Sequence, residues 1–392
     1  MANTPLTSTV VTREALRILH EKLSFIGTLN RQHDNRFAQS GAKIGDSLLI
    51  RLPNEYTVRT GKTLNAQDTA EISTTLTVAT QNGVDLNFSS AELTLEIDDF
   101  SSRILEPAMA VLASHIESTV LQGVTQDVAD VVGTSGTPPN DLLEIGLARA
   151  RLNQNLAPKQ DRHIQMNSGT TAGVVNGVNA LFHDSTQIAK QYREGYIGQA
   201  IGFKWHENDR TYVHANGSDV TGATLDTYTV TEADVDLTVT GLSAAPSVGT
   251  VFTLADVYAV HPETKVAYSH LKQFVVTAAT TTVLTIDPPI YLTGARQNVS
   301  ATPATTASLV FVGAATTPII QDLAYHKDVA TFATADLQMP SGVDFAAREV
   351  YDGVSMRIVR DFDINNDNFP CRVDVLWGYK TIRPQLGVRI TN

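Results

Sequence analysis

Leu105, Met109, Leu112, Ile116 and Val120 recur at three- and four-residue spacing, which places them on one face of a helix. Ser114, Glu117, Ser118 and Gln122 fall largely on the opposite side. Pro107 lacks a backbone donor and fits only near a helix start, so the pattern predicts an unbroken helix over 106–122. At 1.5 Å per residue that helix is roughly 25 Å long. An earlier stripe of Leu16, Leu19, Leu23 and Ile26 predicts a shorter amphipathic helix, with Thr12 as N-cap and Gly27 as its end. Residues before it are polar and Thr-rich, an arm more than a core element.

Between the two helices the period changes to that of strands. Residues 46–53 (DSLLIRLP) and 71–78 (EISTTLTV) are rich in β-branched and aliphatic residues. The polar run 54–70 between them is too long for a tight turn, and a loop of that length is usually functional or mobile. Asn82-Gly83 reads as a turn before a short strand at 84–88. Ser89 and Glu92 have capping-box spacing, which predicts a short helix through 93–97.

Beyond the long helix, 133–139 (GTSGTPP) reads as a linker, and Asn140 starts a helix with Leu143, Leu147 and Ala150 on one face. A strand at 163–167, a small-residue helix carrying Val174, Val178 and Leu181, a short helix at 185–193 and an extended segment at 197–205 follow. Residues 213–315 then turn Thr-, Val- and Ala-rich. Candidate strands there are 235–240, 251–260, 266–277, 282–286 and 308–312, which suggests a small barrel or sandwich inserted as a unit. A brief helical pattern returns at 319–325, and strand runs at 356–362 and 371–379 flank the turn-rich DINNDNFP. The expected class is α+β.

Composition narrows the function. The chain has 392 residues, 42% hydrophobic and 18% charged, enough for more than one core. A formal charge of −12 argues against a nucleic-acid reader or a polybasic membrane binder. A single cysteine, Cys371, allows neither an internal disulfide nor a cysteine zinc site. The N-terminus has no basic stretch followed by an apolar one, and no apolar run approaches a membrane span, which predicts a soluble protein made in a reducing cytoplasm.

Catalytic motifs are wanting. Gly61-Lys62-Thr63 resembles the end of a phosphate loop, but Tyr56 stands where that loop needs its first glycine. Asp361, Asp363 and Asn365 copy three calcium-loop ligands, yet Asn366 replaces the glycine and Arg372 the bidentate glutamate. A solvated hairpin turn is the better reading. His206, His214, His261, His270 and His326 are scattered without metal-ligand spacing, and Cys371 sits among apolar neighbours. The sequence therefore nominates no catalytic residue, no metal ligand and no cofactor.

What remains is a structural role, and here the chain resembles a known family. Residues 100–116 (FSSRILEPAMAVLASHI), 192–203 (YREGYIGQAIGF), 252–277 and 371–388 (CRVDVLWGYKTIRPQLGV) resemble the major capsid proteins of tailed bacteriophages with the Hong Kong 97-type fold. Within that class the chain is similar to the short-tailed Salmonella phage coat proteins, which carry an inserted β-barrel. The resemblance implies a division into an N-terminal arm and helix (1–40), an extended loop with flanking strands (41–90) and a peripheral domain with the spine helix (91–139). It then implies a first apical part (140–212), the inserted barrel (213–315) and an apical return with the peripheral hairpin (316–392). It implies self-assembly into pentamers and hexamers of an icosahedral shell around double-stranded DNA, without sequence-specific DNA contact and without a membrane. A scaffolding protein and a portal are the implied partners, the virion the implied location and the host bacterial cytoplasm the place of assembly. Intersubunit contact is implied at Arg59, Lys62, Arg103, Glu106 and Arg383, with no covalent cross-link from the loop. The basic tail (Arg357, Arg360, Arg372, Lys380, Arg383, Arg389) is expected to pair with carboxylates and not with DNA. Two alternatives stand beside this: a bacterial encapsulating shell protein of the same fold, and a cell-surface adhesin-like β protein.

Overall fold

The computed structural model describes residues 8–32, 46–64, 66–67, 71–88, 104–178, 198–227, 229–351, 354–364 and 368–392. The expected helices at 93–97 and 185–193 lie outside these residues. Two compact units are present, one of residues 1–51, 73–120 and 330–382, the other of 52–72, 121–329 and 383–392.

In the first unit, the helix Ser8–Lys22 buries Ala15, Leu16 and Leu19 completely and packs on the antiparallel strands Phe345–Tyr351 and Val354–Arg360. Thr12 is not its N-cap: the helix starts four residues earlier, and Thr12 is buried inside it. The helix stops at Lys22, and a separate 3-10 turn, Ile26–Thr28, holds the region expected to end it. The sheet continues through Phe369–Thr381, whose two halves pair with Ala330–Ala335 and Thr80–Phe88. Asn82-Gly83 is therefore mid-strand and not a turn. Gly83 lies opposite Asp374, where a β-carbon would sit 2.4 Å from the Val373 carbonyl oxygen, so close strand approach is what demands glycine there.

Asp46–Arg51 and Ser73–Val78 form a two-stranded ribbon in register from Asp46–Val78 to Arg51–Ser73. Ile50, Leu76 and Val78 on this ribbon share a core with Ala333, Ala335 and Leu376. The spine helix runs Glu106–Asp127, five residues beyond the expected end, because Val120, Leu121 and Val124 keep its apolar face buried. Glu117, assigned to the polar face, is buried and accepts a 2.8 Å hydrogen bond from the Ser24 hydroxyl.

In the second unit, a mixed sheet runs in the order Val131–Val132, Gly387–Thr391, Pro318–His326, Arg162–Met166, Phe203–Glu207, Gln199–Ala200, with Tyr212–Ala215 also on Pro318–His326. Residues 319–325 are thus a strand and not a helix. Both of its faces are buried, which removes the alternation that marks a half-exposed strand. The helix Leu143–Gln154 also differs from expectation: it buries Ile145, Ala148 and Leu152, while Leu143 and Leu147 are 61% and 46% exposed.

The insert forms an antiparallel six-stranded sheet in the order Leu309–Phe311, Val251–Val260, Ala267–Ala279, Val283–Ile290, Asp234–Thr240, Thr224–Leu225. Its two ends approach each other through Leu225 N–H to Ala307 O and Leu309 N–H to Ala223 O, both 2.9 Å, so the sheet is nearly closed. Phe252 packs on Phe274 and Phe311 with ring centroids 5.8 and 5.7 Å apart, in a core drawn from residues 220–311. The strands expected at 235–240, 251–260, 266–277, 282–286 and 308–312 are all present, with ends shifted by a few residues.

Candidate assembly surface

The loop after Arg51 leaves the ribbon with Leu52 N–H bonded to Ile72 O at 2.8 Å. Further out, Gln67 ties its two arms together. The Gln67 amide oxygen accepts from the Thr57 N–H (2.8 Å), and its nitrogen donates to Thr57 O (2.6 Å). At the tip, Arg59 donates to the carbonyls of Gly61 and Thr63, while Lys62 extends into solvent. Gly61 takes a positive φ of 101°, a backbone state that suits glycine. The loop's apolar side chains find little cover: Val58 is 97% exposed and Leu64 81%, and Tyr56 is exposed as well. A stapled loop that holds apolar groups in water has the form of a contact surface.

The remaining residues singled out from the sequence are dispersed. Glu106 meets Lys22 of its own chain at 3.5 Å, and both are largely exposed. Arg383 stands before the 3-10 turn Pro384–Leu386 and bonds Val329 O through its backbone N–H at 3.1 Å. Arg103 lies outside the described residues. The structure therefore brings Arg59 and Lys62 together on one loop tip and leaves Glu106 and Arg383 elsewhere.

In the basic tail, Arg357 and Arg372 both meet Asp374, at 2.6 and 3.0 Å, and Arg360 meets Asp344 at 2.9 Å. Arg360 also lies over the Phe345 and Phe369 rings. Arg389 behaves otherwise. It is completely buried and donates to Gly249 O (2.8 Å), the Gln321 side-chain oxygen (2.9 Å) and Gln126 O (2.7 Å). Burial draws its pKa down to about 10. Carbonyl dipoles from the spine-helix end, the insert and a sheet strand replace its water.

Buried polar groups cluster around this arginine and along the sheet. His214 accepts or donates with Tyr212, Asn216 and Thr250, and burial holds it near 4, with the Arg389 charge adding to the effect. His163 and His206 face each other with ring nitrogens 3.1 Å apart, and Tyr325 stacks on His163. Burial, then the neighbouring His206, lowers His163 to about 4. Asp322 accepts the Asn167 N–H at 2.8 Å, yet burial still pushes its carboxyl up to about 7. Cys371 is buried and its thiol is pushed up to about 12, which keeps it protonated and unreactive.

The sequence model of the P22 coat protein, gene protein 5, matches residues 32–392. The chain belongs to the P22 coat protein family. It is a major capsid protein of a tailed phage. A chain from Mycobacterium phage Che8 superposes with a TM-score of 0.50 at 11% identity, over 94% of this chain and 90% of that one, which shows the fold. The capsid of Ralstonia phage GP4 gives 0.48 at 7% identity over 93% and 87%. A virus-like particle from Pyrococcus furiosus gives 0.40 at 8% identity over 97% and 98%. No curated protein sequence matches.

The sequence marks the loop by its length and polarity, but not the apolar side chains that it holds in solvent. Tyr56, Val58 and Leu64 were readable as apolar residues in a polar run. Arg389 was legible only as one more tail arginine, because its partners are 68 to 263 positions away.

Proposed function

We propose that this coat protein closes rings of five and six by head-to-tail contact, with the loop 52–72 laid on a neighbouring subunit, and that the rings tile an icosahedral shell around double-stranded DNA. The observation that supports this is the loop itself, stapled internally yet presenting Tyr56, Val58 and Leu64 to solvent. A contact between two different patches is heterologous and generates rings when the rotation closes. Residues 213–315 form an inserted domain with its own core, and a scaffolding protein and a portal take part in assembly in the host cytoplasm. The shell contains DNA without gripping it: the chain carries −12, and Arg357, Arg360, Arg372 and Arg389 are occupied by carboxylates or carbonyls of their own chain. Electron microscopy of purified protein tests the reading. Closed shells are expected; a protein that stays monomeric at high concentration, with or without scaffold, contradicts it.

A further inference from the structure

Away from the loop, His163 Nδ1 and His206 Nε2 meet at 3.1 Å across the parallel strands Arg162–Met166 and Phe203–Glu207. At that distance one ring donates and the other accepts, so the contact survives one added proton and not two. Its immediate neighbours are neutral. Tyr325 stacks on His163 and accepts from the Gln165 side chain at 3.2 Å, and Asn208 donates to the Gln165 oxygen at 3.3 Å. The same end of the sheet gathers cations. Lys204 and Lys327 meet Asp161 at 3.6 and 2.8 Å, and Asp328 lies 3.5 Å from His326, so the nearby carboxylates are already engaged. Arg162 donates to the Ala157 and Pro158 carbonyls, and Arg149 of the helix Leu143–Gln154 lies against Gly202. Glu207 follows His206 on the opposite face of its strand.

We propose that the two histidines are an acid-released clasp at the edge of this sheet: they hold Phe203–Glu207, and with it Gln199–Ala200, on Arg162–Met166 at neutral pH, and a second proton drives the strands apart. Strand order makes this the part that can leave. Phe203–Glu207 has Arg162–Met166 on one side and the two-residue Gln199–Ala200 on the other, while Pro318–His326 and Gly387–Thr391 pair beyond. Trp205 donates to Ala200 O at 3.1 Å, which ties the two edge strands into one moving piece. Two imidazolium ions in contact repel each other, and Lys204, Lys327, Arg162 and Arg149 leave little to offset them. Burial, and for His163 the His206 charge next, disfavours the charged rings in the closed sheet, so the opened edge takes up protons that the closed one refuses.

Hydrogen exchange of the full-length unassembled subunit, read strand by strand at pH 7 and pH 5 and corrected for the intrinsic pH dependence of exchange, tests the clasp. Protection of residues 199–207 should fall at least about tenfold at pH 5, as expected when His163 passes from about 4 to 6.5 on opening. Protection of 319–326 and 387–391 should change less than about twofold. His163→Gln with His206→Gln removes both titrating rings and should leave 199–207 equally protected at the two pH values. Imidazole nitrogen NMR of the wild type covers the case in which that variant does not fold: the second proton taken up by the pair should coincide with the opening. Equal protection of wild-type 199–207 at both pH values, or a loss spread evenly over the whole sheet, overturns the proposal. So does an opening that the double variant shares, or two rings that titrate independently.

Discussion

Arg389 and Arg59 carry the same guanidinium in opposite surroundings. Arg389 is wholly removed from water and donates to groups of Gln126, Gly249 and Gln321, three segments far apart in the chain. Arg59 stays in water and donates to carbonyls two and four residues away. Bonds between distant segments exist only in the folded subunit and define it. Bonds within a few residues shape a loop without anchoring it to anything else. One chain thus holds one arginine that ties distant segments of the subunit together and another that only shapes an exposed loop.

The contrast is broken most forcefully at Arg389. Arg389→Met leaves the three acceptors it served without a donor, and by the cost of stripping buried polar partners it should lose about 3–5 kcal/mol in urea unfolding of the subunit. Arg59→Met should stay within about 0.5 kcal/mol, because nothing buried is lost. Equal costs would erase the distinction.

A smaller and similar contrast lies on the helix Leu143–Gln154. Ile145→Ala should cost about 2–4 kcal/mol, as for other buried aliphatic truncations, and Leu147→Ala little. If Leu147→Ala melts like Ile145→Ala, the helix has been rotated in this account.

Acid sharpens the picture of the buried polar cluster. His163 and His214 sit near 4 in the folded chain against 6.5 when free, so between those values the unfolded chain holds more protons. Their contribution is complete above about pH 6.5 and is lost as pH falls toward 4. His163→Gln should make this acid limb shallower, by up to about 1.4 kcal/mol per pH unit. Asp322 has the opposite sign. Its folded carboxyl, near 7 against 3.8, keeps a proton that the unfolded chain releases, so stability falls as pH rises through 7. Asp322→Asn should therefore melt higher than wild type at pH 8, with the difference vanishing below about pH 4. A difference that persists at pH 4 would point to packing and not to ionisation.

These particulars also show what was legible in advance. The spine helix and the strands of the insert could be read because their apolar periods are long and uninterrupted. Pro318–His326 could not, since burial on both faces erases the alternation that names a strand. Asn82-Gly83 misled for another reason. The glycine answers to Val373 across the sheet, a partner that local sequence does not reveal. Spacing puts Leu143, Leu147 and Ala150 on one face of their helix, but the face turned inward is that of Ile145, Ala148 and Leu152. As for the assembly surface, length and polarity marked the loop, but the apolar residues at its tip acquire meaning only once they are seen in solvent.

The central claim is that residues 56–66 serve neighbours and not their own subunit. Replacing them with a short Gly-Ser linker and measuring both subunit melting and shell formation tests it directly. The account predicts a melting temperature unchanged within about 2 °C, as for a segment that buries almost nothing, together with no closed shells in electron micrographs. Normal shells from the shortened chain, or a subunit that melts far below wild type, would contradict it.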